Sequence, residues 1–131
     1  EGKMVRKIKK QHRPVPVSEE YKKSYMKQFE APVFAPIRSK IYFPDSMPAF
    51  HAFFTDDEGR LLVMTYKKGE NPGEYIYDIF NADGLFIGRK SLKIYNDENF
   101  LYAKIKRSRL YCLNEKESGY KELVAYKVRW K

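Results

Sequence analysis

Residues 50–92, FHAFFTDDEGRLLVMTYKKGENPGEYIYDIFNADGLFIGRKSL, read as four short strands joined by tight turns. The apolar runs 52–55 and 61–66 are separated by Asp56-Asp57-Glu58-Gly59, whose glycine can take the positive φ that closes a short hairpin. The device repeats with residues 75–80, the turn Asn81-Ala82-Asp83-Gly84, and residues 85–92. Between the hairpins lies the polar loop Lys67-Lys68-Gly69-Glu70-Asn71-Pro72-Gly73. Along 61–66 both alternate sets, Leu61, Val63, Thr65 and Leu62, Met64, Tyr66, are largely apolar. A strand of that kind is buried on both faces, which suits a sheet packed between two other sheets.

Working outward, Arg60-Leu61-Leu62-Val63 is matched by Arg109-Leu110-Tyr111-Cys112, and Tyr75, Tyr77 and Ile79 by Val124, Tyr126 and Val128, at one shared offset. A repeat of roughly 40 to 50 residues made of four strands is the period of a β-propeller blade. The expectation is therefore an all-β, propeller-like fold of antiparallel four-stranded blades, two blade equivalents in all, with one short helix in a connector. Residues 1–13 supply a leading outer blade strand, its basic alternation guarding an edge. Residues 49–93 are the complete blade. Residues 94–131 are a three-stranded final blade, with 94–99 as the link and turns at 106–108 and 117–119. The leading strand pairs with the final three inside one chain, or the chain was cut from a longer propeller.

Residues 14–48 form the connector, since six of the seven prolines fall there. Its helix is expected over about 18–29, where Ser18 is a good N-cap, Glu19 and Glu20 occupy the first turn and Lys27 the last. Tyr21, Tyr25 and Phe29 make one apolar stripe, expected to dock on the sheets, whereas 31–36 and 41–44 are expected to run extended.

Composition bounds the function. A chain of 131 residues holds one modest domain, and an aromatic content of 16% carried by 11 Tyr and 9 Phe favours strands and interlayer packing. One cysteine excludes an internal disulfide and a multi-thiolate metal site. No apolar run reaches the ~18 residues that span a bilayer, and no signal peptide is present. The chain opens with Glu, which reads as a processed or excised piece.

No motif specifies catalysis, a cofactor or a metal. Asp56, Asp57 and Glu58 lack the spaced oxygen ligands of a calcium loop and read as a solvated turn. His51, at the start of an inner strand, is the better placed of the two histidines for contact with a ligand, and His12 sits in a basic edge segment. Cys112 reads as a small core hydrophobe, and Ser108 lacks a nucleophile-elbow context. Tyr75, Tyr77, Tyr111, Tyr126 and Trp130 read as packing between blades rather than a stacking platform. With 26 Lys+Arg against 17 Asp+Glu, the net charge of +9 favours polyanions, and residues 3–13 with Lys104, Lys106, Arg107 and Arg109 could form a patch. Spreading of the charges among acids, and commitment of aromatics to the core, argue against nucleic acid.

Residues 53–63, the Asp78-Ile79-Phe80-Asn81-Ala82-Asp83-Gly84 turn, Leu110-Tyr111 and Tyr126-Lys127-Val128-Arg129-Trp130 resemble the C-terminal part of bacterial six-bladed β-propeller proteins of the NHL/TolB-like kind. The likeness covers most of residues 41–131. It implies a non-enzymatic binding scaffold or interaction module, cut from a larger ring, in the periplasm, the cell envelope or outside the cell. The alternatives are a part of a propeller enzyme whose site forms only in the full ring, and a basic polyanion-binding domain. The recognition surface is expected at one blade end carrying Asp56, Asp57, Glu58, Lys67 and Lys68, or at His51 on a channel-facing strand. Its ligand, protein or small molecule, is not specified, and self-association could complete a ring.

Overall fold

The computed structural model describes residues 2–94, 103–116 and 118–130, the side chains of 114 and 115 excepted. The chain is built on two antiparallel sheets with two short α-helices, and it divides into two units. One unit comprises Glu1–Gln11 and Phe50–Lys131, and the other His12–Ala49.

The first sheet is a meander in the order β1 (Ala52–Thr55), β2 (Leu61–Lys68), β3 (Tyr75–Phe80), β4 (Phe86–Leu92). The second has the order β5 (Ala103–Lys106), β6 (Arg109–Glu115), β7 (Lys121–Lys127). The expected link at 94–99 lies largely outside the described residues, as do Leu101 and Tyr102.

Three turns share one hydrogen-bond scheme. The glycine N–H of Gly59, Gly84 and Gly119 donates to the carbonyl of Asp56, Asn81 and Lys116, three residues back. The N–H of Asp56, Asn81 and Lys116 in turn donates to the carbonyl of Arg60, Leu85 and Tyr120. The glycines have φ of 76°, 78° and 79°, so each turn ends in the left-handed residue of a glycine bulge. The β5–β6 connection differs. Lys106 pairs directly with Arg109, and Arg107 and Ser108 both take positive φ, 51° and 54°, in a two-residue turn without glycine.

The structure also places the repeat one residue away from the sequence match. Leu62 and Met64 of β2 lie in the core together with Leu110 and Cys112 of β6, whereas the matched tetrapeptides would align Leu61 with Leu110. Since side chains alternate with period two, a one-residue slip reverses the face, so Val63 lies on the outer face although its expected counterpart, Cys112, is in the core.

One core joins both sheets: Leu62, Met64, Tyr77 and Ile79 meet Ile105, Leu110 and Cys112. The opposite face of the first sheet carries Leu61, Val63, Asp78 and Phe80, and it is met by the leading segment. Residues 3–10, expected as a blade strand, enter no ladder. Lys10 Nζ instead pairs with Asp78 Oδ2 at 2.6 Å and lies 3.9 Å from the centre of the Phe86 ring, while an Arg6 guanidinium N–H donates to the carbonyl of Ala82. A carboxylate buried in the middle of a sheet has to be neutralised, and the leading lysine reaches it with its side chain. The first sheet is therefore covered by a sheet on one face and by a strandless segment on the other.

The second unit holds α1 (Glu19–Lys27), a 3₁₀ turn (Pro32–Phe34) and α2 (Ala35–Arg38). Ser18 caps α1, its Oγ accepting from Tyr21 N at 3.1 Å. Residues 32–38 are helical rather than extended, because Pro32 and Pro36 sit in first turns, where the missing N–H has no helical partner to lose. The aromatic stripe packs within its own unit: Tyr25 meets Phe43 edge-on at 5.6 Å, and Phe29 meets Phe34 at 5.7 Å. Arg38 closes the unit by donating to the Phe29 and Glu30 carbonyls beyond α1.

Candidate functional site

The residues expected at one recognition surface divide between two ends of the first sheet. In a meander, successive turns alternate ends, so the 56–59 and 81–84 turns share one end and the 69–74 loop lies at the other. The eight residues of β2 separate them by about 26 Å. Asp56, Asp57 and Glu58 therefore do not converge with Lys67 and Lys68. His51 lies at the Lys67 end, exposed, its ring 5.1 Å from that of Tyr66 and its N–H donating to the Met64 carbonyl.

Each expected residue also has structural work. Asp56 is not solvated: its side chain is 1% exposed, Oδ1 accepts from Glu58 N and Arg60 N at 3.0 and 2.8 Å, and Oδ2 pairs with Arg60 Nη1 at 2.8 Å. Asp57 Oδ2 accepts from Arg107 N at 2.9 Å, tying this turn to the β5–β6 turn. Glu58 also pairs with Arg60, whose guanidinium lies 4.7 Å from the centre of the Trp130 ring. Hydrogen bonds to Glu58 first and Asp56 second hold Arg60 above its ordinary pKa. Lys68 Nζ donates to the Tyr75 hydroxyl and lies over its ring, and Lys67 N donates to Thr65 Oγ1 at 3.2 Å. Glu74 closes the neighbouring loop, its carboxyl held low by Ser91 first and by Asn71 next.

What the structure forms in their place is a cleft of about 790 Å³ between the two sheets. Its floor is the buried Leu62 and Ile79 of the first sheet and Ile105 and Leu110 of the second. The register explains why the core stops short here. Opposite Tyr77, the inward position of β4 is Lys90, whose charged side chain lines the cleft where an apolar one would extend the core. A Cβ placed on Gly88 would meet nothing within 4 Å. On the second sheet Leu110 pairs with Tyr126, which lines the cleft and is half exposed.

The rim is cationic: Lys90 and Lys93 on one side, Lys127 and Arg129 on the other, all exposed, with no acidic side chain among the described lining residues. Trp130, the only tryptophan, forms part of the wall. Sequence reasoning named Tyr126 and Trp130 only as packing residues and missed the four rim cations. The available signal was the break in alternation at Gly88 and Lys90, where an inward-facing pattern loses its apolar members.

Cys112 lies in the core shared by the two sheets. It is buried, its thiol donates toward the Val124 carbonyl at 4.0 Å, and burial pushes its pKa up, so the thiolate is disfavoured. Among the described residues, no helix is long and apolar enough to cross a membrane. A scan against protein-family models and searches of curated proteins and of solved structures each found no match to this chain.

Proposed function

We propose that this chain is a non-enzymatic binding module of the NHL/TolB-like propeller kind, two blade equivalents long, whose ligand site is the cleft between its two sheets. The observation that carries the reading is the cleft itself. Its volume of about 790 Å³ falls in the range of roughly 300–1,000 Å³ in which small-molecule sites occur. Its composition, an apolar floor with a few polar groups at the mouth, is the chemistry such sites use. The sequential meander order of both sheets, packed through one core, supports the blade reading. Self-association to complete a ring belongs to the same proposal, with β1 and β7 as the edges offered to a second copy.

A ligand screen read by NMR tests the binding site. Hits that shift the Trp130 indole N–H together with the Ile79, Ile105 and Leu110 methyls would establish the cleft. Hits that move only residues 56–59 or 67–73 would transfer recognition to the loops, and turnover of a hit would overturn the non-enzymatic reading. Light scattering tests the ring: a trimer is the outcome expected if three two-blade chains build six blades, and a monomer refutes closure by copies of this chain.

A further inference from the structure

We infer, building on the cleft as the binding site, that its ligand is an amphipathic anion: an acyl or aryl body with one carboxylate or similar acid group at the end. The floor is made of side chains between 0% and 7% exposed, Leu62, Ile79, Ile105 and Leu110, and offers no charged group to a ligand body. An apolar chain laid on it leaves water at a gain of roughly 25 cal/mol per Å². Among the described lining residues, the charged side chains at the mouth are all cationic. Lys90, Lys127 and Arg129 enter no ion pair among the described residues, in contrast to Lys10, Arg60 and Arg89, which are paired, while Lys93 is also attracted to the Glu74 carboxylate of the neighbouring loop. Cations gathered around a low-dielectric cleft reinforce one another's field at its mouth, where an acid headgroup would rest while its body is buried. A cationic amphiphile would meet the same floor and be repelled at the same rim. The apolar floor therefore sets affinity, and the rim sets the sign of the ligand.

The experiment uses the whole chain, with the neutral fluorophore N-phenyl-1-naphthylamine as a reporter of cleft occupancy and with Trp130 emission as a second readout. Dodecanoate and dodecyltrimethylammonium then compete with the reporter below their micelle concentrations. The expected result is saturable reporter binding and displacement by dodecanoate at least about tenfold more effective than by the cation, a preference of roughly 1.4 kcal/mol. That preference should shrink as salt rises. The double charge reversal K93E/R129E, at two exposed positions, should weaken dodecanoate about tenfold and leave reporter affinity within about twofold, the latter confirming an intact floor. Equal displacement by both amphiphiles overturns the anion assignment and leaves the cleft as a binding site. No reporter binding, with no Trp130 response to either amphiphile, overturns both.

Discussion

Asp78 is the carboxylate with which Lys10 of the leading segment pairs on the first sheet. Its side chain is 11% exposed, with Oδ1 accepting from Arg89 Nε at 2.7 Å and Oδ2 paired with Lys10 Nζ at 2.6 Å. In Asp78→Asn the shape is kept and the charge is lost. Arg89, half exposed, gives up little, since such pairs contribute about 0–1 kcal/mol. Lys10 is the larger loss: its side chain is 22% exposed and is left as a largely buried ammonium without its counter-charge. Breaking a buried pair from one side costs about 3–5 kcal/mol, and partial exposure of Lys10 places the expectation near the lower bound, about 3 kcal/mol. Against a total stability of roughly 5–15 kcal/mol this is a large fraction.

The assay is urea unfolding followed by circular dichroism, arranged as a double-mutant cycle with Lys10→Met. The double variant should be more stable than Asp78→Asn alone, with a coupling energy of at least about 1.5 kcal/mol. The pH dependence gives an independent check. Burial pushes the Asp78 carboxyl up, but hydrogen bonds and attraction from Lys10 and Arg89 together outweigh it and leave the pKa below its ordinary value. A carboxyl lowered in the folded state binds its proton less readily than in the unfolded chain. Its stabilisation is therefore present above the ordinary carboxylate range, near pH 4, and is lost as the pH falls through and below it. Asp78→Asn should flatten the acid limb of the stability curve. A cost below about 1 kcal/mol, or an unchanged acid limb, would refute the view that this pair holds the leading segment on the sheet.

Asp56→Ala removes the acceptor for two backbone N–H groups and the Arg60 guanidinium, and should cost about 2–3 kcal/mol in thermal unfolding, with Trp130 emission changing as Arg60 is released. Replacing Arg107-Ser108 by Asn-Gly relieves two non-glycine residues at positive φ and should stabilise by about 1–2 kcal/mol, a gain in Tm of several degrees, while the Arg107 backbone contact to Asp57 is retained at the new residue. Ser18→Ala should cost about 1 kcal/mol in the second unit, seen as faster amide exchange at Tyr21 and little change in the first unit.

Local chemistry was the legible part. The turns at 56–59 and 81–84 can be read from four residues each, because a short polar side chain opening the turn and a glycine at positive φ satisfy the backbone within the turn itself. The strand runs between them follow, and with them the antiparallel order of the first sheet. The same local reasoning misjudged Asp56, since its carboxylate serves backbone donors inside the turn and a guanidinium that also stacks on Trp130. It missed the rim because Lys90, Lys93, Lys127 and Arg129 are unremarkable lysines and an arginine until two strands far apart in the chain are brought face to face.

What the amino-acid sequence determined by itself was thus the glycine turns and the Ser18 cap, whose hydrogen bonds close within a few residues, and the alternating strands beside those turns. Tertiary structure alone decided the rest. Which face of β6 enters the core is not given by the tetrapeptide match, since Leu62 and Met64 rather than Leu61 and Val63 share the core with Leu110 and Cys112. Whether residues 3–10 pair as a strand or lie over a sheet depends on the distant Asp78 requiring a cation. The cleft is assembled from residues of both sheets that lie far apart in the chain, Leu62, Ile79 and Lys90 on one and Ile105, Leu110 and Tyr126 on the other. Period-two alternation leaves a choice of face open along the chain, and only the packing free energy of distant residues selects one.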